Sequence, residues 1–521
     1  MARNLRVGVQ RGLRQSIGGG LGTGDIFTLS PASFDFSRTN TKDSRITFTR
    51  ASSGTFVGAD GLIKTTPVNL IKYSQKFDQE WTTDSTGTIT INHAEAPNGT
   101  TTANRFVEST GNVSHAIRQP LTISGTYTVS AHFKELPGSA KRYGVLRMHG
   151  VGSTAPISFF DLGNGTVTSS GGTNIISTSI VDVGNGWFRC SMTANEPLLS
   201  GDGIQVGVTN ASDSFSSYTG DGSSGLLIWG VQIEKGNTAT EYIPTTSTIS
   251  GAPRFDHDPA TGESLGLLIE EARTNLLLNS ATLSTQSVAV AATAHTLSFY
   301  GTGTVTLSGV STAGPLVGSG TNQRVSLTFT PTSGSLTLTV SGTVTNAQLE
   351  AGSFSTSYIP TTGSSVTRAA DVVEITSTNF SSFYSEAQGS VFVQASGATL
   401  AGNPLSLEIH DGTTNNRHTL DYGSGDIATV VGGVSQSVLA TGAPSSAEDV
   451  VKVAFAYGAN NFAASKDGGS IVSDTSGTVP TTSEMQLGND FAGTKSLNGH
   501  INRLVYFPTR LADATLQSIT S

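Results

Sequence analysis

The sequence has little charge, a single cysteine and no long apolar run. Lys, Arg, Asp and Glu make up only 13% of its 521 residues, and the formal net charge is −9. Such a chain has no overall basic field to hold nucleic acid. No segment approaches the roughly 18 consecutive apolar residues of a membrane span. The basic N-terminus lacks the apolar core of a secretory signal. We therefore expect neither nucleic-acid binding nor membrane insertion, and synthesis in a reducing cytoplasm.

The single cysteine, Cys190, excludes an internal disulfide. It lies in the alternating run WFRCSM, a pattern that favours a buried, inert thiol over a nucleophile. The sequence also lacks Gly-x-Ser-x-Gly, His-Glu-x-x-His, a Cys/His cluster and a phosphate-binding loop. Hydrolysis of a glycan needs two carboxyl groups roughly 5–10 Å apart, and most carboxylates here lie in turns. We therefore predict a protein that is not an enzyme.

The residues that are abundant indicate β-structure. Glycine occurs 61 times, and short runs rich in Thr, Val and Ser alternate apolar with polar residues at roughly ten-residue spacing. Alternation with period two, interrupted by Gly, Asn-Gly and Asp-Gly, is typical of antiparallel strands and their turns. The sequence predicts an all-β fold, a multi-domain array of antiparallel β-sandwiches.

Two phrases of the sequence occur twice. Val231–Thr246 reads VQIEKGNTATEYIPTT and Ala347–Thr362 reads AQLEAGSFSTSYIPTT; VNLIKYS at Val68–Ser74 is matched by TNLLLNS at Thr274–Ser280. A repeat that shares its first and last strands indicates that one β-module was used twice. The paired positions Glu234 and Glu350 fall in the repeat. We interpret such glutamates as structural, pairing with the backbone or with an arginine such as Arg254.

The first 32 residues differ from the rest. Four arginines precede any acidic residue, and five glycines follow within seven positions; the arginines are Arg3, Arg6, Arg11 and Arg14. This segment has too little apolar surface to fold alone. It is either a frayed terminus or a flexible attachment arm that orders on a partner, and we favour the arm.

The repeats and turn signals divide the chain into six predicted segments. After the arm (1–32), these are a lead-in β segment (33–68), a jelly-roll carbohydrate-binding-like module (69–246), a β connector (247–274), a short repeat β-module (275–362) and a final sandwich (363–521). The short module has roughly half the residues of the long one, which leaves out several strands. Its uncovered sheet edges favour oligomerisation.

A few side chains are candidates for binding. Trp187 and Trp229 lie within strands and are predicted core residues, whereas Trp81 follows a charged stretch and is either core or a platform for a sugar. Asp411, Asp467 and Asp490 adjoin Gly or Asn, so they form turns first and are candidate glycan-binding residues second.

The connector contains a candidate metal site. Asp256 and Asp258, two residues apart on an extended segment, would point to the same side, and such oxygen ligands suit calcium. The alternative is a turn over residues 258–262. Calcium is the only cofactor that the sequence suggests.

Several longer phrases carry a resemblance to known proteins. Lys452–Gly469, Leu487–Asp490 and Leu497–Thr520 resemble the concanavalin A-like, laminin-G-like sandwiches. Pro253–Leu277 and Ala59–Trp81 look like segments of tailed-phage virion proteins, the tail fibres, spikes and head fibres. In that group an Asn-Leu-Leu segment opens a carbohydrate-binding-like jelly roll, and a Gln-Leu-Glu…Tyr-Ile-Pro-Thr phrase closes it.

The resemblance implies a structural protein of a virion, made in the cytoplasm of the host. Its N-terminal arm would attach to other virion proteins, and its β-modules would adhere to host-surface polysaccharide. Three-fold assembly is the expected oligomeric state. Two alternatives stay open: a capsid decoration or cement protein without a receptor role, and a tailspike enzyme that depolymerises glycan.

Overall fold

The structure, a computed structural model, describes residues 23–83, 87–150 and 155–521. Within them the fold is all-β, as predicted, and its strand pairings are antiparallel. The chain divides into two compact units. Unit 1 takes in the described residues up to Phe48, then Gly54–Thr65 and Pro253–Ser521, and unit 2 is Thr49–Ser53 with Thr66–Ala252. Across the described residues, no helix combines the length and the apolar character that crossing a membrane requires.

Unit 1 begins with short elements. They are α1 (Thr23–Thr28), β1 (Ala32–Asp35), α2 (Phe36–Thr39), β2 (Thr47–Thr49), β3 (Thr55–Val57) and β4 (Ile63–Thr65). Helix α2 is capped by Asp35, whose side chain accepts from the Arg38 N–H. Asn40 ends the helix in the left-handed conformation, which asparagine tolerates well.

Unit 2 contains the first copy of the repeat as a β-sandwich. Its strands are β5 (Val68–Asn69), β6 (Thr82–Thr83), β7 (Thr88–Ala94), β8 (Ala103–Val107), β9 (Asn112–Val113), β10 (His115–Pro120), β11 (Thr126–Glu135), β12 (Tyr143–His149), β13 (Ile157–Asp161), β14 (Thr166–Gly171), β15 (Ile175–Gly184), β16 (Trp187–Asn195), β17 (Gly203–Thr209), β18 (Tyr218–Thr219), β19 (Gly225–Lys235) and β20 (Ser250–Gly251). One sheet has the order β14-β13-β12-β17-β10-β6 and the other β15-β16-β11-β19-β8-β7.

The apolar core of unit 2 includes Phe133, Leu146 and Cys190. Burial raises the pKa of the Cys190 thiol well above its ordinary value. The prediction that this cysteine is buried is confirmed, and its raised pKa is consistent with the predicted inert thiol.

The remainder of unit 1 follows from Pro253. Its elements are β21 (Arg254–His257), β22 (Ser264–Ile269), β23 (Arg273–Asn275), β24 (Gln286–Val290), β25 (His295–Gly301), β26 (Thr304–Gly309), β27 (Leu316–Val317), β28 (Gly320–Phe329), β29 (Gly334–Ser341), β30 (Val344–Ala351), β31 (Val366–Arg368), β32 (Val372–Thr376), α3 (Ser377–Ser381), β33 (Gln388–Gly397), β34 (Leu405–His410), β35 (Arg417–Asp421), β36 (Asp426–Val431), β37 (Val434–Ala440), β38 (Val451–Gly458), β39 (Phe462–Lys466), β40 (Val472–Asp474), β41 (Glu484–Leu487), β42 (Gly499–Phe507) and α4 (Asp513–Thr520).

Unit 1 contains a large and a small sandwich. In the large one, a sheet β21-β22-β42-β33-β38-β39-β40, which β1 joins through β42, is accompanied by a sheet β2-β32-β41-β34-β35-β36-β37. The small one, the second copy of the repeat, has sheets β24-β29-β26-β27 and β28-β25-β30. Each sandwich has its own apolar core.

The predicted boundary of the arm at residue 32 differs from the structure. Helix α1 packs on the large sandwich, where the rings of Phe27 and Phe392 lie 4.9 Å apart. Strand β1 then pairs with β42, with Ala32 opposite Tyr506. Within the predicted lead-in segment, β1 and β2 join the two sheets of the large sandwich, whereas β3 and β4 pair with each other as a two-stranded sheet. The attachment arginines, Arg3, Arg6, Arg11 and Arg14, lie outside the described residues.

The repeated phrases occupy equivalent places, as predicted. In the first copy the buried amide of Asn69 donates to the Val231 and Ile243 carbonyls at 3.1 and 2.9 Å. Its oxygen accepts from the Ile71 and Ile233 N–H groups.

In the second copy Asn275 makes the same four bonds. It donates to the Ala347 and Ile359 carbonyls at 3.0 and 2.9 Å and accepts from Leu277 and Leu349. A single asparagine therefore joins the first and last strands in each copy. We call each such bonded group the clasp of its copy.

The repeated glutamates form hydrogen bonds within the same repeated phrases, beside the clasps. Glu234 accepts from the Thr240 N–H at 2.9 Å and from the Gln232 amide at 2.6 Å. Glu350 accepts from the Thr356 N–H at 2.8 Å and from the Gln348 amide at 2.6 Å. The prediction that these glutamates are structural is confirmed.

Candidate functional site

A cleft of about 1030 Å³ lies in unit 1. This volume is at the upper end of the range for small-ligand sites. Residues that line it come from the β3–β4 hairpin, the connector, the small sandwich and the large sandwich; they include Phe56, Asp256, His257, Tyr300, Asn322, Gln323, Arg324, Tyr358, Glu448, Asn498 and His500. The lining combines aromatic rings with amide, hydroxyl and charged groups.

One side of the cleft is fixed by the connector. The Asp256 carboxylate accepts from the Val57 N–H at 2.6 Å through Oδ1, and its Oδ2 lies 3.0 Å from His500 Nε2. His257 contacts the same strand, with Nδ1 3.1 Å from the Val57 carbonyl oxygen. Both oxygens of Asp256 are therefore engaged within the protein.

The predicted metal pair is divided between two structural roles. Asp258 accepts from the N–H groups of Ala260 and Thr261, both at 2.8 Å, and these bonds hold the pKa of its carboxyl below the ordinary value. This is the turn that the sequence analysis gave as the alternative. Over the described part of the chain, no group of three or more His, Cys, Asp or Glu side chains is arranged to hold a metal ion. A calcium site at Asp256 and Asp258 stays a prediction.

Below the cleft lies a buried network of ions. Glu270 Oε2 lies 2.6 Å from Arg254 Nη1 and 2.9 Å from Arg368 Nη1, and Arg254 also pairs with Asp371. Burial acts to raise the pKa of Glu270, but Arg368 and Arg254 outweigh it and the pKa is lowered. Glu270 also accepts from the Ser357 N–H and hydroxyl, both at 2.7 Å. The glutamate that pairs with Arg254 is thus Glu270, and not Glu234 or Glu350, for which the sequence suggested it. This network fixes the floor of the cleft.

The small sandwich contributes Tyr300 and Arg324. Arg324 donates through Nη1 to the Thr356 carbonyl at 2.5 Å and through Nη2 to the Ser298 hydroxyl at 2.8 Å. Its Nε is buried and has no hydrogen-bond partner among the described residues. Burial raises the pKa of the Tyr300 phenol. Arg324 is thus held against Tyr300 by neutral acceptors rather than by a carboxylate.

The structure corrects the reading of Trp81 as a sugar platform. The side chain is 8% exposed, its ring packs edge-on to Phe77 at 5.1 Å, and Nε1 donates to the Tyr73 carbonyl. Its faces are covered because it belongs to the core of unit 2. Trp187 and Trp229 are also buried, as predicted.

The three predicted aspartates of the large sandwich hold turns. Asp411 accepts from the Thr413 N–H and hydroxyl, Asp490 accepts from the Thr494 N–H and hydroxyl, and Asp467 accepts from the Lys452 N–H. They do not line the cleft. The turn reading is therefore the one that the structure supports.

The sequence analysis missed Tyr300 and Arg324, although a signal was present. Thr128-Val-Ser-Ala-His132 is matched by Thr296-Leu-Ser-Phe-Tyr300, and Arg189-Cys-Ser-Met-Thr193 by Arg324-Val-Ser-Leu-Thr328. These phrases lie between the repeats that were found. An alignment of the two copies along their whole lengths finds both residues.

Comparisons with known proteins give limited similarity. No protein-family model matches the chain, and no curated protein matches it in sequence. The CBM40 of the Ruminococcus gnavus IT-sialidase, bound to α2,3-sialyllactose, is 14% identical with a TM-score of 0.24, over 27% of this chain and 88% of that one. The CBM22-1–CBM22-2 tandem of Paenibacillus barcinonensis Xyn10C is 11% identical with a TM-score of 0.21, over 85% and 98%. Such scores establish neither a shared fold nor a shared ligand.

Proposed function

We propose that this protein is a structural and adhesive protein of a phage particle, a tail fibre, spike or head fibre, whose unit 1 cleft binds a host-surface glycan. The observation that carries the proposal is the lining of the cleft. The exposed amides of Asn322 and Gln323 and the ring of Tyr300 line a space of about 1030 Å³. Saccharides need both kinds of group, because their hydroxyls form hydrogen bonds and their C–H faces pack on aromatic rings.

The carboxylates of the cleft favour binding over hydrolysis. Three of the four carboxylates that line the cleft, Asp256, Asp258 and Glu270, accept hydrogen bonds from the protein itself. This leaves Glu448, whereas a glycosidase needs a pair of carboxyl groups, one of them an acid that retains its proton at working pH. Burial raises the pKa of three carboxyls of the large sandwich, Glu374, Glu408 and Asp421, but these do not line the cleft. A protein that binds without turnover is the function that these contacts support.

The particle context rests on the sequence. The phrases shared with tailed-phage virion proteins and the basic leader support attachment to a particle through the N-terminus. Three-fold assembly is part of the same proposal, since several copies of a weak site multiply its affinity. A solution mass of one chain at micromolar concentration would count against it.

The test is binding of the intact protein to an array of bacterial surface polysaccharides. We expect the double variant Asn322→Ala, Gln323→Ala to lose roughly tenfold or more in affinity, because two hydrogen-bonding amides are removed. The control is Asn112→Ala, an exposed amide of unit 2, which should bind as the unaltered protein does.

Two other outcomes would replace the proposal. Release of new reducing ends from a bound polysaccharide would identify a tailspike enzyme. Attachment to particles without binding to any polysaccharide would identify a decoration or cement protein.

A further inference from the structure

The two copies of the repeat share a bulged central strand. In the first copy, β11 and β19 shift register between Ser130 and His132, which brings Trp229 opposite His132. In the second copy, β25 and β30 shift register between Ser298 and Tyr300, which brings Thr345 opposite Tyr300. The residue after each of these partners, Gly230 or Asn346, has the positive φ of a bulge. The pairing with the last strand is therefore equivalent at this point. On the other side, β25 also shifts register against β28, between Phe299 and Gly301, whereas β11 pairs with β16 without a shift.

In the first copy, a tryptophan fills the space over the bulge. Trp229 is 3% exposed, and its ring centroid lies 5.0 Å from that of His132 and 4.5 Å from that of Tyr242. Its Nε1 donates to the Thr102 hydroxyl at 3.0 Å. This ring is a built-in occupant of the position.

In the second copy, the corresponding residue is far smaller. Thr345 donates through its hydroxyl to the Tyr300 carbonyl at 3.2 Å, and no ring covers the phenol of Tyr300 from this position. Tyr300 instead lines the cleft, and its hydroxyl has no hydrogen-bond partner in the described part of the chain. Tyr358, the counterpart of Tyr242, is retained and forms the same bond, to Ser280 at 2.7 Å as Tyr242 does to Ser74 at 2.5 Å.

We infer that the cleft contains a sugar-ring subsite over Tyr300, at the position that Trp229 fills in the first copy. This inference rests on the proposed glycan-binding function and adds to it the platform and the class of ligand, a pyranose with an unsubstituted C–H face. A flat apolar face matches the place of an indole, because both pack by dispersion on an aromatic ring. The amides of Asn322 and Gln323 lie in the same cleft and supply hydrogen bonds to the hydroxyls at the edge of the ring.

The same substitution explains why only one copy provides the subsite. Both copies keep the arginine that donates to the bulge serine, Arg189 to Ser130 at 3.1 Å and Arg324 to Ser298 at 2.8 Å. The arginine is therefore common to both copies and does not by itself make a site. The exchanges of His132 for Tyr300 and of Trp229 for Thr345, together with the shift of β25 against β28, are what distinguish them.

The experiment places a ring opposite Tyr300, as in the first copy. Thr345→Trp, Thr345→Val, Tyr300→Ala and Tyr300→Phe are prepared in the full chain and titrated calorimetrically with cellohexaose, xylohexaose, laminarihexaose and chitohexaose. We expect the unaltered protein to bind at least one of these. Thr345→Trp and Tyr300→Ala should lose tenfold or more in affinity, whereas Thr345→Val and Tyr300→Phe should stay within threefold.

The outcomes separate the inference from the proposed function. If the unaltered protein binds a hexasaccharide and both Thr345→Trp and Tyr300→Ala bind equally well, the subsite is wrong and glycan binding stands. If no hexasaccharide binds, the subsite for an unsubstituted pyranose is overturned, and the polysaccharide array decides the proposed function separately. If Thr345→Trp fails to fold, the pair Tyr300→Ala and Tyr300→Phe decides. A loss of affinity in both variants would assign binding to the hydroxyl of Tyr300 rather than to its ring.

Discussion

The two copies of the repeat differ greatly in size but hardly in their clasps. The first copy has two six-stranded sheets, whereas the second has sheets of four and three strands. Yet the four hydrogen bonds of Asn69 and those of Asn275 agree in length to 0.1 Å. The outer strands of this module can therefore be lost while the join between its first and last strands is kept.

The comparison shows which part of the module defines it. Apolar strands at the sheet edges are exchangeable, because each contributes area without a unique partner. The clasp consists of buried polar groups that satisfy one another, and a half-satisfied group is costly. Evolutionary change in such a module is therefore expected at its edges and at single positions over its open face, as at Trp229 and Thr345.

The largest expected effect is the loss of a clasp asparagine. Asn69→Ala and Asn275→Ala each remove four hydrogen bonds to buried backbone groups, so we expect a loss of about 3–4 kcal/mol in the free energy of unfolding of the module affected. The measurement is hydrogen exchange of peptides from β19 and β30. Asn322→Ala, which removes an exposed amide, is the control and should change the free energy of unfolding by less than about 0.5 kcal/mol. Losses that differed strongly between the copies would show that the clasps are not equivalent.

An intermediate effect is expected from acid, and only in the first copy. Burial, with a smaller contribution from Arg189, lowers the pKa of His132 to about 4. The unfolded chain binds this proton near pH 6.5, so the stabilising effect of a neutral His132 is present above that pH and is lost as the pH falls toward 4. The expected loss at pH 5 is about 2 kcal/mol.

Hydrogen exchange, expressed as protection factors at pH 7 and pH 5, measures this effect. Peptides of β11 should lose protection at pH 5, and His132→Tyr, which introduces the residue of the second copy, should remove most of that loss. If the β11 peptides lose as much protection at pH 5 in His132→Tyr as in the unaltered protein, the acid sensitivity belongs to another group.

Much of the fold could be predicted from the sequence, and less of the candidate site. Period-two alternation and the repeated phrases predicted the all-β architecture and the equivalent clasps, because both depend on local pattern. For the candidate binding residues Trp81, Asp411 and Asp490, the sequence left open both a structural role and a binding role. The turn bonds of the two aspartates are local in sequence, whereas the burial of Trp81 depends on a core whose other members, such as Ile117 and Met192, are distant in sequence.

Tyr300 shows why the site was harder to predict than the fold. Its phrase is Thr-rich and reads as an ordinary strand. The residue opposite it on β30 is the small Thr345, which lies 45 residues further along the chain and meets Tyr300 only across a bulge. Comparison of the two copies, rather than either copy alone, carries this information.

The smallest expected effect concerns the threonine pairs of the central strands. Thr128 Oγ1 lies 2.8 Å from Thr193 Oγ1 and donates to the Gly236 carbonyl at 3.0 Å; Thr296 does the same with Thr328 and Gly352, both at 2.9 Å. Replacing Thr128 or Thr296 by valine keeps the shape but leaves a glycine carbonyl without its donor. We therefore expect the free energy of unfolding to fall by about 1 kcal/mol in each copy.

Thermal unfolding, monitored by hydrogen exchange, measures these small losses in stability. The controls are Thr90→Val and Thr306→Val, at exposed positions. If Thr296→Val costs far more than Thr128→Val, the smaller sandwich depends on its polar contacts because it lacks strands. If the two costs agree, each pair acts locally and the size of the surrounding sheet does not alter its contribution. Equal costs would extend the equivalence of the clasps to the central strand beside them.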